Sequence, residues 1–260
     1  MDQQSYIFLE HLPHDAFAFS LILTRVAGVI ILLPGLGEVA APAMVRVGLA
    51  GAVTILLLPG LMPTFPGSPA TILDYAVMVA SSLITGLWLG WLARTITFAL
   101  GMSGQWIAAI LGLSNVLAPD IITGGEEPAL GRLLDLASPV LLLITGLYAM
   151  PLVALSSSFD VIPPGGFLPI GDGMQIVVTA VVRCFLLALQ LSAPFVVAAI
   201  CWNIALGIIS RLVPRVQIYF LGLPGQILGG LGLLAVLISA LLHAWLQATS
   251  QDFSNLARLV

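Results

Sequence analysis

Long apolar runs, separated by short stretches rich in proline, glycine or charge, set the pattern of this chain. The runs cover residues 16–33, 47–62, 75–113, 133–155, 174–209 and 216–246. A helix needs about 20 apolar residues to cross a bilayer, so the pattern predicts about six hydrophobic helices. Several are longer than one crossing requires. The run 75–113 holds 39 residues with Arg94 halfway along, and 174–209 would measure roughly 54 Å as one helix. Pro194 should kink that second run. Gly222, Pro224 and Gly225 should break the last run early, and 133–155 reads as a single span closed by a loop from Ser156 onward. Gly86 and Gly90 stand in a GxxxG arrangement that lets a second helix come close.

Between the third and fourth runs lies the stretch 104–132, GQWIAAILGLSNVLAPDIITGGEEPALGR. It carries Gly104, Gly112, Pro119, Gly124, Gly125, Pro128 and Gly131, so no single straight helix is expected through it. Irregular backbone at membrane depth is tolerated where protein buries it or where it lines a wet cavity, because lipid satisfies no free N–H or C=O group. The stretch is therefore expected to line or block a path.

Composition turns the pattern into a class. Of the chain's residues, 60% are hydrophobic and 8% charged, against roughly 25% charged in soluble domains; mean hydropathy is +1.13. The expected fold is all-α: a polytopic integral membrane protein in one domain over 1–260, with overlong, kinked helices and an irregular central loop. All eight basic residues are arginine, and the sequence pI is about 5.1, so nucleic acid is not an expected partner while membrane lipid is. The N-terminus lacks a basic region and carries Asp2, Glu10 and Asp15, unlike a cleavable signal peptide. Cys184 and Cys201 fall in one helical run, roughly 25 Å apart by helical rise, too far to bridge. With an outside N-terminus and six crossings, Arg46, Arg94, Arg132, Arg211 and Arg215 fall at inside turns, where basic residues accumulate.

Site chemistry excludes more than it offers. His11, His14 and His243 form no metal-binding pattern, so no metal and no cofactor are expected. The segment from Gly101 to Gly104 is not a nucleophile elbow. Asp74 and Asp172 stand at predicted loop ends and read as solvated turn residues, not as intramembrane catalytic acids. Arg25, Arg94 and Arg183 lie in or at the edge of apolar runs, where an unpaired charge costs on the order of 3 kcal/mol. They are the candidates for buried charge pairing, for subunit contact or for lining a conducting path, against headgroup snorkelling as the plain alternative.

Two stretches carry a family resemblance. In PGLGEVAAPAMVRVGLAGAVTILLLP the residues are Pro34, Gly37, Pro42, Arg46, Gly48 and Leu49; in SRLVPRVQIYFLGLPGQILGGLGLL they are Arg211, Pro214, Gln217, Phe220, Gly222 and Pro224. Gly104, Gly112, Leu113, Ser114, Gly131 and Arg132 match between them, followed by Ser156, Phe159, Pro163 and the pair Ala193-Pro194. Over nearly its whole length the chain resembles the FliR family of flagellar export-gate proteins. It departs from the family pattern at Ile110-Leu111, at Pro119-Asp120, and at Pro214-Arg215 and Gln217.

The resemblance implies a non-enzymatic subunit of a type III secretion export gate at the centre of the flagellar basal body in the bacterial inner membrane. It implies assembly with FliP-type and FliQ-type subunits, contact with FlhB-type and FlhA-type export proteins, and passage of unfolded flagellar proteins. In the family the helices are largely lifted out of the bilayer plane and the central loop helps to plug the pore. Carried over, that role falls on Gly112, Leu113, Ser114, Asn115, Val116, Leu117, Gly124 and Gly125, with Asp120, Glu126 and Glu127 at the rim. Assembly falls on the signature residues, and residues 211–215 would face the cytoplasmic entrance. The alternatives are a virulence-type secretion gate subunit and a small secondary transporter, which would need an intramembrane proton relay.

Overall fold

In a computed structural model of the chain, residues 3–37, 42–62, 65, 69, 71–113, 128–166, 170–212 and 218–259 are described. Seven α-helices occupy them: α1 (Gln3–Leu32), α2 (Ala43–Leu61), α3 (Ile72–Ile110), α4 (Ala129–Thr145), α5 (Ala149–Val161), α6 (Ile170–Leu212) and α7 (Ile218–Leu259). Five of them contain a stretch long and apolar enough to cross a membrane, and the bent pair α4 and α5 makes a sixth if counted as one span. The all-α, polytopic expectation therefore stands. So does the excess length: α3, α6 and α7 have 39, 43 and 42 residues, or roughly 58–65 Å by helical rise, about twice a hydrocarbon core.

Three boundaries differ from the sequence reading. The run 133–155 is not one straight helix, because Gly146 takes φ +73° and α4 meets α5 at 75°. The serines of 156–158 are not loop residues. Each hydroxyl bonds back to a carbonyl in the preceding turn, as in Ser158 Oγ to Leu155 O at 2.6 Å, and α5 continues to Val161 with Phe159 buried. Nor do Gly222, Pro224 and Gly225 break the last run, since α7 begins at Ile218 and passes through all three. In apolar surroundings the helix is the conformation that satisfies the backbone. The two glycines there serve packing: a Cβ at Gly225 would lie 3.0 Å from the Trp202 ring, and one at Gly222 would lie 2.8 Å from Leu206. The helix α6 likewise continues through Pro194.

Two compact units emerge along the chain. One comprises Met1–Ile96, Leu142–Ala180 and Gln251–Val260; the other comprises Thr97–Leu141 and Val181–Ser250. In the first, α1 contributes the fully buried Leu21, Ile22, Arg25, Val26 and Val29, and α3 contributes Leu92 and Ala93. The GxxxG pair works as expected here. A Cβ at Gly86 would overlap the carbonyl oxygen of Arg25, and one at Gly90 would lie 2.8 Å from that of Val29. Two backbones thus approach as only small residues allow. The N-terminus of α3 is closed by a capping box: Thr71 Oγ1 accepts from the Asp74 N–H at 3.1 Å, and Asp74 Oδ2 accepts from the Thr71 N–H at 3.2 Å. In the second unit Leu100, Ile107, Leu134, Phe195 and Trp245 are buried. There Gly104 and Gly131 bring α3 and α4 together, with 3.0 Å between an added Cβ at Gly104 and the Gly131 Cα. The interruption expected over 104–132 is accordingly shorter, since α3 runs past Gly104 to Ile110 and α4 already contains Gly131.

Candidate functional site

The polar interruption of the sequence begins where α3 ends, at Ile110. Helix C-termini expose carbonyls without intrahelical partners, and here the last turn closes with Leu111 N–H to Ile107 O at 2.9 Å and Gly112 N–H to Ala109 O at 3.2 Å. Gly112 then adopts φ +73°, a region that a side chain makes costly by roughly 1–2 kcal/mol. This is where the chain turns out of the helix. The Ile110 carbonyl is served from another helix: Gln226 Nε2 of α7 donates to it at 2.9 Å. Such a bond contributes about 0.5–1.5 kcal/mol net, while a buried carbonyl left without it loses roughly 1–3 kcal/mol.

One turn further along α7, Gly230 receives the Leu111 side chain, whose Cδ1 would stand 2.8 Å from a Cβ at that position. Leu111 and Leu113 are both buried. Beside them opens a cavity of about 260 Å3 lined by Leu111, Ala199, Trp202, Gln226, Gly229 and Leu233, among others. Its walls are apolar, except for Gln226 and for Trp202, whose indole Nε1 is buried with no hydrogen-bond partner among the described residues.

A second unusual group sits in the other unit. Arg25 is fully buried, its guanidinium 4.0 Å above the Phe159 ring. Its Nη1 donates to Ser158 O at 3.0 Å and to Ser158 Oγ at 3.3 Å. Nε and Nη2 have no partner among the described residues. The contacts of Arg25 are thus a carbonyl, a hydroxyl and a ring. Arg94 and Arg183 are exposed on this chain and are not buried.

The remaining predicted site residues divide by position. Gly112 and Leu113 belong to the turn just described, whereas Ser114, Asn115, Val116, Leu117, Asp120, Gly124, Gly125, Glu126 and Glu127 lie outside the described residues, as does Pro214. Pro34 and Gly37 are buried in the turn that ends α1, with Gly37 N–H to Leu33 O at 2.7 Å. Pro42 is the N-cap of α2 and accepts from Val45 N–H at 3.0 Å. Arg46 is half-buried, and Gly48 faces open space. Arg211 is exposed in the last turn of α6, and Phe220, Gly222 and Pro224 fall in the first turns of α7. Sequence reasoning missed Gln226, Gly230 and Ser158. Gln226 was the most findable, as a lone amide inside the apolar run 216–246.

Comparison with known proteins follows this geometry closely in extent. Residues 16–251 match the family model of bacterial export proteins, family 1. A flagellar biosynthetic protein FliR of Caulobacter vibrioides is 27% identical over 231 residues, covering 89% of this chain and 92% of the relative. Its namesakes of Escherichia coli and Bacillus subtilis are each 26% identical, over 92% and 86% of this chain and 90% and 87% of their own lengths.

Proposed function

Since the chain belongs to the bacterial export proteins of family 1, the family of the FliR flagellar biosynthetic proteins, we propose that it is a subunit of the flagellar type III protein export gate. The single observation that carries this is the match across residues 16–251, which takes in both terminal signatures and the central interruption. The family is one of membrane transport proteins and not of enzymes. On this reading the chain acts as one functional domain, sits in the inner membrane at the centre of the basal body, and assembles with FliP-type and FliQ-type subunits. FlhB-type and FlhA-type proteins meet it at the cytoplasmic face, and unfolded flagellar proteins pass through the assembly.

The overlong helices support a role in an assembly. Helices roughly twice the thickness of a hydrocarbon core cannot all stand upright in it without tilting or leaving it, and partner subunits are what would cover the excess. The segment 112–125 serves as the plug. A glycine-bearing loop beside an apolar constriction helps it to exclude water, and yields to a polypeptide because glycine imposes little conformational restriction.

Two experiments test this reading. Purification of the tagged chain in mild detergent from its own host should recover FliP-type and FliQ-type subunits; a lone chain that binds a small solute would overturn it in favour of a transporter. Deleting residues 112–125 should render cells permeable to ions and small solutes while the partner subunits are still recovered. An assembled complex without added leak refutes the plug.

A further inference from the structure

We infer that Gln226 is a positioning residue for the C-terminal end of α3: its amide, with Gly230, clamps the last turn of that helix and so fixes the turn at Gly112. Three observations converge on it. Gln226 Nε2 donates to Ile110 O at 2.9 Å, a bond between residues 116 positions apart in the chain. One turn along the same helix, Gly230 is the hole that receives Leu111, the next residue after that carbonyl. Between those contacts and the central segment stands Gly112 at φ +73°.

Each contact needs the residue type that is present. A carbonyl at a helix end in apolar surroundings requires a donor from elsewhere, and a neutral amide supplies one without bringing a charge. Any side chain at position 230 would push Leu111 out of its seat. The clamp is also releasable, because the cavity of about 260 Å3 that Leu111 and Gln226 line together has room for a displaced leucine side chain.

What the positioning serves rests on the proposed role of 112–125 as the plug, but the positioning is measurable without it. Leu113 is 4% exposed and Cys184 is 5% exposed, so in a Leu113→Cys chain, purified with its partner subunits, the thiols at 113 and 184 should react slowly with a maleimide, whatever the rate at the third thiol, Cys201, which is exposed on this chain. Gln226→Met, which keeps length and volume but cannot donate, should speed labelling at position 113 by about tenfold, the worth of one net hydrogen bond. Labelling of Cys184, read peptide by peptide in the same sample, should stay slow. Gly230→Ala should speed position 113 as well, by displacing Leu111 while Gln226 is intact. Unchanged labelling at position 113 in Gln226→Met overturns the inference, even where deletion of 112–125 leaks. A parallel rise at Cys184 assigns Gln226 to general stability and overturns it too. A deletion that stays tight while Gln226→Met labels faster would remove the plug reading and leave the clamp.

Discussion

Arg25 on α1 donates from Nη1 to the backbone oxygen of Ser158 on α5 at 3.0 Å, and neither residue is exposed to solvent. The same oxygen also accepts from the Ile162 N–H at 3.0 Å. Removing the arginine would therefore leave the Ser158 carbonyl with a donor, and it would remove two buried donors that lack partners among the described residues. Packing and charge then pull apart. Arg25→Met, which fills most of the space, should leave the thermal stability of the detergent-solubilised chain within about 1 kcal/mol of the parent or raise it, as replacing buried ionic groups by apolar ones often does. Arg25→Ala should lose roughly 2–4 kcal/mol through the cavity it opens. Equal losses for both variants would show that the charge itself holds α5.

The contact of α1 with α3 makes a sharper steric prediction. At Gly86 an added methyl has backbone, not a flexible side chain, in its way, and Gly86→Ala should lower stability by at least about 1–3 kcal/mol. At Gly48, inside α2, nothing lies within 4 Å. Gly48→Ala should stabilise the isolated chain by up to about 1 kcal/mol, the helix-propensity difference. Thermal midpoints of the two variants in one detergent decide the matter; similar losses at both positions would contradict the packing described.

Asp74 is explained by its capping box and by nothing catalytic. Asp74→Ala should cost about 0.5–2 kcal/mol of stability, as loss of a cap does, and export by cells carrying it should persist at permissive temperature. Abolished export with an unchanged thermal midpoint would point back to a chemical role for the carboxylate.

Gly146 gives a conformational test free of sterics. Its φ is +73° and no atom lies within 4 Å of an added Cβ, so the cost of substitution should follow backbone preference and not side-chain size. The order of stability should run Gly146→Asn above Gly146→Ala above Gly146→Val, with differences of roughly 1 kcal/mol, because asparagine tolerates the left-handed region and a β-branched residue resists it. A size-ordered series in which asparagine falls below alanine would mean that the 75° turn is crowded.

Much of the fold was legible along the chain because apolar length is a local property. The all-α class, the excess length of three helices and the GxxxG approach of α3 to α1 all survive in the structure. Two of the errors share one cause, while the bend at Gly146 is the converse, a glycine that does turn the chain. Ser156, Ser157 and Ser158 read as loop, and Gly222, Pro224 and Gly225 as a break, because small and polar residues are breakers in water. In apolar surroundings the backbone has nothing but itself to bond, so these residues stay helical and are used for hydroxyl back-bonding or for close packing.

What the sequence determined by itself is therefore the class, the excess length of its apolar elements and, through its two signatures, the family. Only tertiary structure decided what meets what. Arg25 finds Ser158 across 133 positions and Gln226 finds Ile110 across 116. No periodicity encodes such pairs, because each depends on how two helices far apart in the chain approach one another; for Gln226 and Ile110 that approach uses Gly230, whose role appears only when Leu111 is in place.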